Sequence, residues 1–154
     1  MANNSINEAL QSLRETLARD DDVSITEIDK AIAKVVEFKD YSCVGLLLSL
    51  LNDDFVYDEA MFSLIHAAEA VDDRIYTREL LRVLPQILLS APSWTSVVTM
   101  RVLNNQATKA ELITALRSAS EDGKKAMTQL CKKINAVSPE FMNKTISVLV
   151  AANT

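Results

Sequence analysis

The chain has 154 residues, 49% hydrophobic and 24% charged, with a formal net charge of −5. That length supports one domain with its own core, spanning 1–154. Two glycines, three prolines, one histidine and two cysteines exclude glycine-rich phosphate loops and dinucleotide fingerprints. They also argue against a sheet-rich fold and leave too few ligands for an ordinary Cys/His zinc site.

Apolar residues recur at helical spacing along almost the whole chain, which predicts an all-α fold of about nine helices. The first predicted helix runs from Ile6 to Ala18, with Ile6, Leu10, Leu13 and Leu17 on one face, and Asp20-Asp21-Asp22 breaks it. Ser24-Ile-Thr-Glu27 reads as a capping box opening a second helix that ends near Phe38. The third, about Tyr41 to Leu51, is almost entirely apolar and is expected at the centre. Asn52-Asp53-Asp54 separates it from a fourth, Val56 to Val71. Its core face is expected to carry Tyr57, Met61, Leu64, Ala68 and Val71, with Glu59, Ser63 and His66 opposite.

Asp72-Asp73 precedes a fifth helix from Tyr76 to Leu89, and Ser90-Ala-Pro-Ser93 precedes a sixth from Trp94 to Leu103. Thr108-Lys-Ala-Glu111 reads as a second capping box opening the seventh. Ser120-Glu-Asp122 opens the eighth, with acids where the helix dipole favours them. Ser138-Pro139-Glu140 opens the ninth, with proline at its first position. Helix starts recur every ~15–19 residues, in the range of helical repeats. Short connections imply antiparallel neighbours. The expected architecture is an irregular HEAT- or armadillo-like stack of helix pairs, with a globular bundle as the alternative.

Charge divides the chain. Residues 1–77 hold 16 acidic and 6 basic side chains, net −10, whereas residues 78–154 hold 5 acidic and 10 basic, net +5. An acidic half suits a basic partner. The acids concentrate at predicted helix junctions, as Asp53-Asp54 with Asp58-Glu59 and as Asp72-Asp73. One acid is enough for a cap, and these junctions carry two or more. Asp53, Asp54, Asp58, Glu59, Asp72 and Asp73 are therefore candidate partner-binding residues, while capping and turn formation is the plain alternative. His66, the sole histidine, and Glu69 lie three apart on one helix and can touch; both join the candidates. No nucleophile or second histidine accompanies His66, and its plain alternative is a surface side chain bonded to Glu69 or Glu59. No catalytic set and no cofactor site emerges.

Lys124, Lys125, Lys132 and Lys133 form a basic stripe without interleaved aromatics in an acidic protein, which reads as a solvated face and weighs against nucleic-acid binding. Trp94 after Pro92 reads as a core staple, and Cys43 and Cys131 as buried thiols of a reducing compartment. The N-terminus lacks a basic region followed by an apolar run, and the longest apolar stretch, residues 44–51, is far short of the ~20 residues a membrane helix needs. The expected location is cytoplasmic.

The order Glu59-Ala-Met-Phe-Ser-Leu-Ile-His66-Ala-Ala-Glu69, then Tyr76-x3-Leu-Leu-x2-Leu84-Pro85, Ala91-Pro-x-Trp94, Arg101-x-Leu-Asn104 and a helix ending at Ser120 resembles the bacterial immunity proteins of polymorphic-toxin and contact-dependent inhibition systems, in particular immunity protein 30. The resemblance covers roughly residues 56–134. It implies a non-enzymatic antidote that binds a cognate toxin C-terminal domain, often a nuclease, and blocks its active site or substrate access. By position, the resemblance marks Glu59, His66, Glu69, Trp94, Arg101 and Asn104. A helical-repeat adaptor without inhibitory activity is the competing function.

Overall fold

The protein, described by a computed structural model over residues 2–19 and 21–154 (backbone alone for 2–4), is built from helices; no strand occurs among these residues. The helices are α1 (Ala2–Leu17), α2 (Ile25–Val36), α3 (Cys43–Leu48), α4 (Asp58–Glu69), α5 (Asp73–Ser90), α6 (Pro92–Leu103), α7 (Gln106–Leu116), α8 (Glu121–Val137) and α9 (Met142–Ala152), with a 3-10 turn at Pro139–Phe141 before α9. Asp20 of the first acidic run lies outside the described residues. The odd-numbered helices α3, α5, α7 and α9 touch in series. On the other side α2 packs on α4 and α6 on α8, while α5 also packs on α8. Helix lengths range from 6 to 18 residues, so no fixed repeat length governs the series.

The third helix is central, with Cys43, Val44, Gly45, Leu47 and Leu48 all buried, but it is shorter than its apolar run predicts. At its start, Asp40 Oδ1 accepts from both the N–H and the hydroxyl of Ser42, forming a local turn. At its end, Leu50 and Leu51 donate to carbonyls three residues back rather than four. Apolarity selected burial there, while local side-chain bonding set the helix ends.

Two capping expectations also change in detail. Ser24 Oγ accepts the Glu27 N–H at 3.1 Å as expected, and Glu27 reaches back to the Ser24 hydroxyl, which donates to its Oε1 at 3.5 Å, while Arg19 engages its Oε2. Thr108 does not open α7. Asn105 caps it one turn earlier, its Oδ1 accepting from the Thr108 N–H at 3.1 Å, and the Thr108 hydroxyl points elsewhere. Pro139 starts the 3-10 turn rather than α9 itself. Within α5, Pro85 has no N–H to offer the Leu81 carbonyl. Gly123 of α8 lies against that carbonyl, where an added Cβ would sit 3.3 Å from the oxygen, so glycine permits the close approach of α8 to α5.

The core runs through every helix, from Leu13 and Ile28 through Leu64, Leu80 and Leu84 to Leu112, Leu130 and Val148. Cys43 and Cys131 are buried free thiols. Burial pushes the Cys131 thiol up to about 12, and burial, followed by the charges of Asp40 and Glu79, also raises Cys43.

Candidate functional site

The acids at the two junctions of α4 serve different structural ends. The α3–α4 junction, residues 49–57, begins with a turn in which Asn52 Oδ1 accepts the Asp54 N–H at 2.9 Å. That turn aims Asp53 at the start of α6, forty residues away. The Ser93 N–H donates to Asp53 Oδ2 at 2.9 Å and the Trp94 N–H to Asp53 Oδ1 at 3.0 Å. α6 needs this outside acceptor because its own N-cap residue, Ala91, offers no side-chain bond. Trp94, thus anchored, packs edge-to-face on Phe62 of α4 with centroids 5.1 Å apart. Asp54, Asp58 and Glu59 are exposed around the same junction, beside Val56 (82% exposed) and Tyr57.

At the other end of α4, Glu69, Asp73, Tyr76, Arg101, Asn104, Asn105 and Thr108 converge on a polar cleft of about 400 Å³. It lies between the C-termini of α4 and α6 and the N-termini of α5 and α7. Arg101 Nε and Nη2 each donate to Glu69, both at 2.8 Å, a two-pronged pair that ties α6 to α4. The Glu69 hydrogen bonds raise the Arg101 guanidinium further above its usual range. Thr108 Oγ1 donates to Asp73 Oδ1 at 3.0 Å, joining α7 to α5. Asp72 caps α5 by accepting the Arg74 N–H at 2.8 Å. Lys144 of α9 donates to Asn104 Oδ1 at the cleft edge.

Tyr76 is 2% exposed, and among the described residues its hydroxyl has no hydrogen-bond partner. Burial first, then the charge of Glu69, push the phenol well above its ordinary range, with Arg101 opposing. A buried hydroxyl without a partner carries an unmet desolvation cost; among the described residues Thr99 Oγ1 shares this state, but Thr99 does not line the cleft.

A family model described as immunity protein 30 matches residues 13–112. The chain belongs to this family. Neither the curated proteins nor the solved structures contain a match. The matched span differs from the one read off the motifs: it takes in the end of α1 with all of α2 and α3, and it ends inside α7.

In this immunity protein, the residues singled out from sequence fall into two groups separated by the length of α4, twelve residues or about 17 Å. Asp53, Asp54, Asp58 and Glu59 sit at its N-terminal end; Glu69 is its last residue, and Asp72 and Asp73 follow it. His66 is exposed and joins neither group. No His66–Glu69 hydrogen bond occurs among the described residues; Arg101 is the partner of both Glu69 oxygens, and His66 lies near the Phe62 ring, with centroids 6.3 Å apart. Tyr57, expected in the core, precedes α4 and is exposed, and Ala60 and Ile65 take the buried positions beside Met61, Leu64 and Ala68.

Sequence reasoning left Tyr76, Asn105 and Thr108 out of the site. Tyr76 sits at a core-periodic position, and Thr108 in a sequence that imitates a capping box. The spacing of Glu69, Tyr76, Arg101 and Asn104 in the family-like segment was the available signal. On the basic side, the expected solvated face does not hold at Lys124, which is only 15% exposed and lies 3.9 Å from exposed Glu121. Among the described residues no cluster of three or more His, Cys, Asp or Glu is arranged to hold a metal ion, and no helix is long and apolar enough to cross a membrane.

Proposed function

We propose that this immunity protein neutralises a cognate toxin C-terminal domain by tight non-covalent binding in the cytoplasm, without catalysing a reaction. The toxin is a basic domain of a polymorphic-toxin or contact-dependent inhibition system, and a nuclease is the activity that best matches an acidic antidote. A nuclease cleft must attract phosphates, so an acidic protein surface competes for the same groups. Binding either plugs the active site or bars the substrate.

The observation that carries this reading, beyond family membership, is the set of exposed acids around the α3–α4 junction. Asp54, Asp58 and Glu59 exceed what the turn and the helix start require, since Asn52 forms the turn and Asp53 serves α6. They flank exposed Val56 and Tyr57, giving an acidic rim around an apolar contact.

Co-expression with the toxin domain encoded beside its gene tests the proposal, with cell survival and co-purification as readouts. Rescue with a stable complex is the expected result. The triple variant Asp54→Asn, Asp58→Asn, Glu59→Gln should then slow association about tenfold at low salt and weaken its salt dependence. Association that is unchanged at every ionic strength would remove this rim from the interface, and absence of both rescue and complex would remove toxin neutralisation altogether.

A further inference from the structure

We infer that the cleft beyond α4 is a receptor for one cationic side chain, arginine or lysine, presented by the bound partner. The inference rests on the toxin-binding reading for the identity of that partner, but its chemistry stands on the cleft alone.

Three charged groups line the cleft, Glu69, Asp73 and Arg101, and the Lys144 ammonium stands at its edge, donating to Asn104 Oδ1. Arg101 and Glu69 satisfy each other through two hydrogen bonds and cancel in charge. Among the lining residues, the charge left over is that of Asp73. Its Oδ1 accepts one bond from a neutral hydroxyl, Thr108 Oγ1, and among the described residues Oδ2 accepts none. Asp73 stands in the first turn of α5, at the positive end of the helix dipole. A ligand that meets the free side of this carboxylate is therefore a hydrogen-bond donor, and a cationic donor binds it most strongly.

The second, independent observation is the Tyr76 hydroxyl. Tyr76 lines the same cleft, and its hydroxyl is buried behind that lining with no partner among the described residues. Its oxygen accepts a hydrogen bond as readily as its proton donates one. A guanidinium or ammonium carries several donors, enough to reach Asp73 Oδ2 and Tyr76 Oη together. A carboxylate or phosphate would meet Asp73 as a like charge. The cleft volume, about 400 Å³, lies at the small end of ligand sites and suits a side chain rather than a large cofactor.

This arrangement also explains why Arg101 and Glu69 are paired so completely. An unpaired Arg101 would repel the incoming cation, and an unpaired Glu69 would offer it a competing position. The pair fixes the wall while Asp73 and Tyr76 remain available.

The test uses the intact protein and N-acetyl-L-arginine amide as the probe, with the lysine, norleucine and glutamate amides as comparisons. Binding is read by NMR shifts of Tyr76, Asp73 and Thr108. Saturable shifts with the arginine or lysine amide, absent with the norleucine and glutamate amides, are expected. Asp73→Asn should weaken the probe about tenfold and Tyr76→Phe several-fold, the range for hydrogen bonds to a charged group. Both variants keep the shape of the side chain, and far-UV circular dichroism with a thermal melt confirms that each is folded. Equal shifts with the norleucine or glutamate amide, no saturable shift with either basic amide, or full affinity in both variants would overturn the inference. The toxin domain gives a separate reading. If the basic amides bind but the toxin domain does not, the cleft stands and toxin neutralisation falls. If the toxin domain binds and both variants retain full affinity for it, the cleft is not part of that interface and the inference falls.

Discussion

Replacing Asp53 with alanine removes both acceptors from the start of α6 and leaves the Ser93 and Trp94 N–H groups without their partner. Loss of an ordinary N-cap costs about 0.5–2 kcal/mol. Here two charged-acceptor bonds go at once, and one serves an N–H beside a buried indole, so the cost falls at the top of that range, about 2 kcal/mol. For a chain of this length that is a drop of about 4–8 °C in Tm. Asp53→Asn retains one acceptor oxygen and should lose roughly half as much. Urea unfolding measures both, with fluorescence of Trp94, the sole tryptophan, reporting locally and circular dichroism globally. The midpoint should fall at constant m-value. Asp54→Ala next door is the control. That side chain is exposed and its carboxylate accepts no hydrogen bond among the described residues, so its change should stay within about 0.5 kcal/mol. If Asp53→Ala is no more destabilising than Asp54→Ala, the clamp contributes nothing and the account of α6 is wrong.

Two further predictions concern the folded state. A double-mutant cycle on Glu69→Gln and Arg101→Gln should give a coupling of about 0.5–1 kcal/mol, because the pair is two-pronged but Arg101 is 38% exposed and partly screened; zero coupling would deny it any role in tying α6 to α4. Burial holds the Cys131 thiol neutral in the folded protein up to about 12, against 9.0 for the free group. The unfolded chain therefore binds fewer protons above pH 9, and stability should fall as pH rises from 9 towards 12, by at most about 1.4 kcal/mol per unit from this group. Urea titrations in that window should show a shallower decline for Cys131→Ala than for the parent chain, whatever the variant's absolute stability, and parallel declines would contradict the burial argument.

The helices were legible because apolar periodicity reports burial directly, and burial decides most of this fold. Helix ends were less legible, because they depend on which of several polar side chains wins a backbone group. At residues 104–111 both Asn105 and Thr108 are chemically able to cap α7. Asn105 does so, which frees the Thr108 hydroxyl for Asp73. The candidate site failed in a similar way. Glu69 has a helical neighbour, His66, at the correct spacing, and local reasoning joins them. The true partner, Arg101, lies thirty-two positions on, and only the packing of α6 on this end of α4 brings it there. Asp53 and Trp94 repeat the pattern across forty-one positions. Acidity at helix junctions was readable, but which acids were already committed was not.

That commitment divides the labour of binding. Asp53, Glu69 and Asp72 spend their oxygens on helix ends and on Arg101, so charge reversal there would damage the scaffold as well as any interface. A variant reversing every junction acid would confuse unfolding with lost recognition. The uncommitted acids sit in two environments with different kinetic consequences. Exposed charges such as Asp54, Asp58 and Glu59 act at long range, and their influence falls on the association rate and its salt dependence. The buried Tyr76 hydroxyl and the open oxygen of Asp73 act only at contact, so their influence falls on the lifetime of the complex. Neutralising the rim should therefore slow association with little change in dissociation, whereas Asp73→Asn and Tyr76→Phe should speed dissociation and leave association nearly intact. The same kinetic change from both sets of variants would mean that the two ends of α4 form a single surface, in spite of the helix length that separates them.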